Sequence, residues 1–249
     1  MIGSTDQASR RTLTSNAGPP RLPFFLNVGI TGHRSASLDA ELVGPLAERL
    51  AKLLRLLETS GRRALEQLPD CFAETPARFR LLSPLADGTD QAAAEAALGL
   101  GWELQAILPF ERAAYRKGLP AGEARERFDR LLERAAAVLE LPGNGGKDVD
   151  AYVMAGRATI AHSDVLVAVW DGQPARGRGG TGDVVAQALT SGTGVIHLCP
   201  DPTIGPRILW SGFDPDVLTV ADKAAVSRPF DPPHAAALLE GLLLPPRDP

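Results

Sequence analysis

Three stretches of this chain hold residues whose types and spacing suit the grip of an anion. The first is Gly29-Ile30-Thr31-Gly32-His33-Arg34. Gly32 permits a tight turn whose exposed N–H groups can meet a negative charge. Thr31 offers a hydroxyl, and Arg34 can make a two-pronged bond to phosphate. The plainer reading is an ordinary turn with His33 and Arg34 in solvent. The second stretch is Asp87-Gly88-Thr89-Asp90. Asp87 or Thr89 suits the cap of a following helix, while Asp90, beside Gly88, could hold ribose hydroxyls. The third runs from Asp171-Gly172 through Arg176 and Arg178 to Gly179-Gly180-Thr181-Gly182-Asp183. Gly179, Gly180 and Gly182 let backbone approach a ligand closely. A helix starting there presents unpaired N–H groups and the positive end of its dipole. Thr181 adds a hydroxyl, and the two arginines add charge. A flexible surface linker is the competing reading, but it suits poorly a loop set between a buried strand and a helix. Thr31, Gly32, Arg34, Gly88, Asp90, Asp171, Gly172, Gly179, Gly180, Thr181 and Gly182 are therefore the candidate ligand-binding residues.

For catalysis the local carboxylates are Asp90, Glu95 and Asp183. One of them could stabilise positive charge building on a ribose ring, as glycosidase carboxylates do. Glu95 falls five residues after Asp90, off its helix face. Residues 177–182 spell G-x-G-x-x-G, and Asp201 follows at about the 20-residue distance of a ribose-binding acid. A dinucleotide fingerprint begins directly at the strand end, however, and here several residues separate Trp170 from Gly177. NAD is thus a secondary alternative. No G-x-x-x-x-G-K-[ST] loop exists. Cys199 reads as a small buried hydrophobe, and His162 and His197 as structural. Trp170 reads as core in preference to a stacking platform. Tyr152 and Arg157 lie on a helix from which they could reach the same site.

The elements that must position these residues follow from periodicity. Residues 24–30 read as a buried strand. Residues 38–58 read as a helix starting near Pro45, with Leu42, Leu46, Leu50, Leu53, Leu54 and Leu57 at helical spacing. Residues 60–76 read as connection, with a short helix as the alternative. Further strands are expected at 79–82, 103–108, 137–141, 165–170 and 194–198, with an edge strand at 217–220. Further helices are expected at 91–98, 111–137 with a break around Gly118-Leu119-Pro120, 149–162, 183–190 and 234–244. The run VLVAVW at 165–170 is apolar at every position, as in a strand covered on both faces. Strands alternating with helices imply parallel pairing. The expected fold is therefore α/β: a three-layer, Rossmann-like parallel sheet with helices on both faces, binding at the C-terminal strand ends. It spans 23–244 as a single domain, after a disordered leader at 1–22 and before a tail at 245–249.

Composition sets the outer bounds. Of 249 residues, 44% are apolar and only 5% aromatic, so Ala, Leu and Val must fill the core. The net charge of −4 gives no broad basic footprint for duplex nucleic acid. Cys71 and Cys199 form no CxxC pair, so neither a zinc cluster nor a disulfide framework is expected, and a reducing, cytoplasmic setting is the natural reading. No apolar run nears the roughly 18–20 residues that span a bilayer, so no membrane partner is expected. A homo-oligomer stays open.

Taken together, Gly29–Arg34, Asp87–Asp90 with its Ala-rich helix, and Asp171-Gly172 leading to Gly179–Asp183 resemble the SLOG superfamily. That superfamily groups the Smf/DprA-like and LOG (lysine-decarboxylase-like) Rossmannoid domains. The resemblance spans residues 24–198. It implies a parallel sheet that binds a nucleotide or nucleotide derivative at glycine-rich strand ends, in some members as a sensor in bacterial defence or signalling. The LOG branch cleaves the N-glycosidic bond of nucleoside monophosphates with the Glu of P-G-G-x-G-T-x-x-E. Here Gly179, Gly180 and Gly182 match that motif, Asp183 stands at the Thr position and Ala186 at the Glu position. The departure at Ala186 removes the LOG carboxylate and leaves the phosphate cradle in place.

Overall fold

The computed structural model describes residues 20–38, 40–68, 70–145, 148–173, 177–210 and 226–243. One sheet of eight strands organises them: β1 (Phe25–Gly32), β2 (Arg78–Ser83), β3 (Glu103–Leu108), β4 (Ala137–Glu140), β5 (Val165–Val169), β6 (Gly194–Leu198), β7 (Arg207–Trp210) and β8 (Val226–Pro229). Their spatial order is β4-β3-β2-β1-β5-β6-β7-β8. The helices are α1 (Ala40–Glu66), α2 (Thr89–Gly99), α3 (Arg112–Gly118), α4 (Glu123–Arg134), α5 (Val149–Ala161), α6 (Thr181–Thr190) and α7 (Pro232–Leu243). The fold is the expected α/β, Rossmann-like one. Strands β4 to β6 are all parallel. The sheet is mixed, however, because β7 and β8 add on antiparallel. The connection from β6 to β7 is too short to hold a crossover helix, so the chain can only double back. The strand expected at 217–220 lies outside the described residues. So do the tail and most of the expected leader, although Leu22, inside that stretch, bridges Phe72.

Apolar periodicity accounts for the packing. Leu46, Leu50, Leu53, Leu54 and Leu57 of α1 are all buried, in one cluster with Leu26, Val28 and Ile30 of β1. Each such leucine contributes roughly 1.5–3 kcal/mol by leaving water. A second cluster joins Leu166 and Ala168 of β5 to Val184, Val185 and Ala188 of α6. Every residue of β5 is buried. Helix α1 starts five residues before Pro45 and continues to Glu66, into the first part of the stretch expected as connection. Small residues explain the extension: Ser60 and Ala64 are buried, and a Cβ on Gly61 would lie 3.0 Å from the Phe79 ring of β2.

Two turns at the C-terminal end of the sheet are locked together. Thr89 N–H donates to the His33 carbonyl at 3.2 Å. Gly88 has φ +90°, and a Cβ there would sit 2.5 Å from the Ser35 nitrogen and 2.8 Å from the His33 carbonyl oxygen. A Cβ on Gly32 would fall 2.5 Å from the Thr89 side chain. Gly88→Ala is therefore expected to destabilise the fold by about 1–3 kcal/mol, since both the dihedral and the contact oppose it. Gly241→Ala, in the exposed last turn of α7 with open space around the new methyl, is expected to stabilise by about 0.5–1 kcal/mol. Urea denaturation of the two variants checks the contrast.

Candidate functional site

Strands β1 and β5 lie side by side, with Gly32 opposite Val169, but the chain leaves them in opposite directions. From β1 it crosses by α1 to β2, and from β5 by α6 to β6. Such a switch point opens a crevice at the C-terminal strand ends. Here it is a cavity of about 570 Å³. The turn after β1 contributes Thr31, Gly32, His33 and Arg34 to its wall, the start of α2 contributes Asp90, and the loop after β5 contributes Asp171, Gly179, Gly180, Thr181 and Gly182. Of the candidate ligand-binding residues, Gly88 and Gly172 are absent from the lining. Gly88 is committed to the contact with the neighbouring turn. Gly172 sits in an exposed turn, with φ +79°, where Asp171 Oδ1 accepts the Gln173 N–H at 3.0 Å.

One wall of the cavity is built to meet negative charge. Helix α6 begins at Thr181, two residues before the expected start, with Gly180 as a cap that offers no side chain. The N–H groups of Thr181, Gly182 and Asp183 have no hydrogen-bond acceptor among the described residues. Asp183 is not in the lining and turns back on the loop. Its Oδ2 accepts from Gly179 N–H at 2.8 Å and Gln187 Nε2 at 2.9 Å. It braces the glycine turn and is misplaced for the catalytic role considered above. Arg178 lines the wall and pairs with Asp150 at 2.9 Å. Arg176 lies outside the described residues. The Asp171 N–H donates to His33 Nε2 at 3.2 Å and so ties this loop to the turn after β1.

The other wall is acidic and buried. Neither Asp87 nor Thr89 caps α2; the cap position is Gly88, with no side-chain bond. Asp87 Oδ2 accepts instead from the N–H and hydroxyl of Ser35, and its Oδ1 lies 3.7 Å from Arg34 Nη1. Arg34 also stands over the Tyr152 ring, 5.5 Å from its centre. Burial works against its charge, but Tyr115, Asp87 and Tyr152 around it hold its proton more tightly than usual. Asp90 is 4% exposed, and its Oδ2 accepts only the Ala86 N–H, at 3.3 Å. Burial pushes its carboxyl up to about 7; the Ala86 N–H and Arg34 pull down, and the Asp87 charge pushes up. Burial and then the Asp90 charge keep the Tyr115 phenol protonated well beyond its ordinary range.

Other expectations resolve as follows. Glu95 is outside the lining and pairs with Arg127 at 3.1 Å on the far side of α2. Asp201 is also outside it and accepts from the Thr203 N–H and hydroxyl at 2.8 and 2.7 Å, so the dinucleotide alternative lacks its ribose acid. Trp170 is half-buried and lines the cavity, its Nε1 donating to the Gln173 carbonyl at 2.9 Å. Tyr152 reaches the cavity, whereas Arg157 turns to Gln187 at 3.3 Å. Sequence reasoning missed Tyr115, Gly156 and Thr159. Small residues on the inner face of α5 were the available signal for the last two. For Tyr115 there was none. Among the described residues no group of three or more His, Cys, Asp or Glu could hold a metal, and no helix is long and apolar enough to cross a membrane.

No protein-family model matches the chain, and no curated protein matches it. Solved structures similar to it include DNA processing protein A (DprA) from Streptococcus pneumoniae, at 18% identity and TM-score 0.46, covering 70% of this chain. This chain spans 50% of the DprA chain. TM1055, a structural-genomics target, is similar at 15% identity and TM-score 0.39, covering 69% of this chain and 72% of its own. The Chlamydomonas rheinhardtii Moco carrier protein is similar at 18% identity and TM-score 0.34, covering 71% and 76%.

The raised carboxyl of Asp90 has a consequence for stability. It binds its proton more tightly folded than unfolded, so its contribution is fully present at low pH and is lost as pH rises from the ordinary carboxylate range through about 7. Asp90→Asn removes that slope. Measured by urea denaturation across the window, the variant is expected to gain on the wild type as pH rises, reaching a few kcal/mol in order of magnitude above neutrality. Parallel stability curves would contradict the assignment.

Proposed function

We propose that this chain is a SLOG-type module that binds a phosphate-bearing nucleotide derivative in the switch-point cavity. The observation that carries this reading is the wall made by Gly179, Gly180, Thr181 and Gly182. There the first N–H groups of α6 have no acceptor among the described residues, and glycine keeps side chains out of the space a phosphate would need. Arg34 lines the same cavity from the corner that holds Asp87 and Asp90 and is paired there with Asp87. Asp90 offers an acceptor to the donor groups of such a ligand, and Trp170 offers a flat surface at the rim. The motif resemblance across 24–198 points the same way.

A second reading, N-glycoside cleavage of a nucleoside monophosphate or an NAD-like substrate, has one observation in its favour. Of the three candidate carboxylates only Asp90 lines the cavity, and a carboxyl titrating near neutrality can both give and take a proton. The LOG-type carboxylate is absent, since Ala186 occupies its position on the exposed side of α6. Incubation with AMP and with NAD, followed by chromatography for free base, separates the readings: release that disappears in Asp90→Asn supports cleavage, and intact substrate under saturating binding rejects it.

Binding itself is tested by calorimetry against a panel of nucleotides and nucleoside diphosphate sugars. Gly180→Leu is the informative variant. Its backbone has φ −78°, open to any residue, and a Cβ there meets only the Gly177 carbonyl at 3.4 Å. Because Gly180 is the cap of α6, stability is expected to fall by about 0.5–1 kcal/mol, while affinity falls at least about tenfold. Absence of heat with every member of the panel would overturn the proposal.

A further inference from the structure

Resting on the cavity as a nucleotide site, we propose that its ligand carries a cationic or strongly hydrogen-bond-donating group at the end opposite its phosphate, and that Asp90 selects for that group. Asp87 from the turn before α2 and Asp90 from its first turn are both buried. Arg34, from the turn after β1, is the cation that faces them. Tyr115 of α3 and Tyr152 of α5 face the same corner through their phenol rings. His33 and Asp171 line the cavity beyond it.

Arg34 is already engaged. It lies 3.7 Å from Asp87 Oδ1, which is buried and has no hydrogen-bond partner, and it is stacked over Tyr152. Asp90 has only the Ala86 N–H on Oδ2, and its Oδ1 has no hydrogen-bond partner among the described residues. A buried carboxylate without a cation bound to it either keeps a proton or needs a donor from elsewhere. The side of Asp90 that is open is the cavity side. Across the cavity the α6 wall has the opposite polarity, with N–H groups and the positive end of a helix dipole.

The cavity is thus polarised along its length. A ligand with phosphate at one end and a positive or donor-rich group at the other satisfies both walls. A ligand with a carboxylate at the second end places like charges together, which costs affinity. Because burial pushes the Asp90 carboxyl up to about 7, the discrimination is expected to sharpen as pH rises through neutrality and Asp90 gives up its proton.

The test uses the full chain and three probes that share a ribose 5′-phosphate. They are nicotinamide mononucleotide (the cationic probe, with a pyridinium ring and a donor carboxamide), its reduced form with a neutral ring, and nicotinic acid mononucleotide (the carboxylate probe, whose pyridinium ring carries a carboxylate in place of the carboxamide). ADP-ribose serves as a reference. Calorimetry is expected to rank the cationic probe at least about tenfold above the carboxylate probe, with a ratio that grows from mildly acidic to mildly basic pH. Asp90→Asn, which keeps an acceptor for the Ala86 N–H, is expected to bring the ratio to within about twofold and to flatten its pH dependence. A ratio or pH trend that survives Asp90→Asn would assign it to another group, His33 among them, and would overturn the proposal. Equal binding of the three probes would also overturn it and leave the nucleotide site standing. Silence with all probes, ADP-ribose included, would remove both. If Asp90→Asn fails to fold, the wild-type ratio and its pH trend decide.

Discussion

Strands β1 and β5 share a full ladder of hydrogen bonds, yet the chain leaves them toward opposite edges of the sheet. Everything that lines the cavity depends on that divergence. Because α1 carries the chain one way and α6 the other, no connection passes over the ends of the two strands, and the space above them stays open. The divergence can be held rigidly because β5 is buried at all five positions. The loop after β5 is therefore displayed from a strand that cannot tilt without disrupting both apolar clusters.

The two walls solve opposite electrostatic problems. At the start of α6 the unmet N–H groups and the helix dipole favour negative charge. Asp183, braced on Gly179, fixes the turn from behind. At the start of α2 the chain buries two carboxylates against a single arginine, which costs free energy. The contact of Gly88 with the backbone of residues 33–35 locks the two turns together and keeps Arg34, Asp87 and Asp90 in one corner. Rigid turns at both walls leave side-chain chemistry to set the preference of the proposed site, and Asp90, which lines the cavity with the Ala86 N–H on one oxygen, is the group on which that proposal turns.

Most of the strands and helices were legible because apolar runs alternate with turn residues along the chain. The three loops stood out for the same reason: glycine and charge interrupt each run where a strand ends. What stayed hidden depends on distant parts of the chain meeting. Tyr115 on α3 and Thr159 on α5 reach the cavity only because β5 inserts next to β1, a pairing that local sequence does not encode. The α6 start was read two residues late because Thr181-Gly182 have poor helix propensity, which tertiary packing overrides. Asp183 and Glu95 looked like site carboxylates by position, yet their side chains turn toward the loop backbone and toward Arg127. The antiparallel edge of β7 and β8 went unread because these four-residue strands follow no crossover helix and so fall outside the strand–helix alternation that marked the others.

The central claim is that backbone amides at the start of α6 receive the phosphate. Its most direct measurement is an NMR titration of the uniformly ¹⁵N-labelled chain with ADP-ribose, following amide shifts residue by residue. The account predicts that the amides of Thr181, Gly182 and Asp183 move first and furthest, with Arg34 and Asp90 following. Saturable binding that leaves those three amides in place while another surface responds would contradict it.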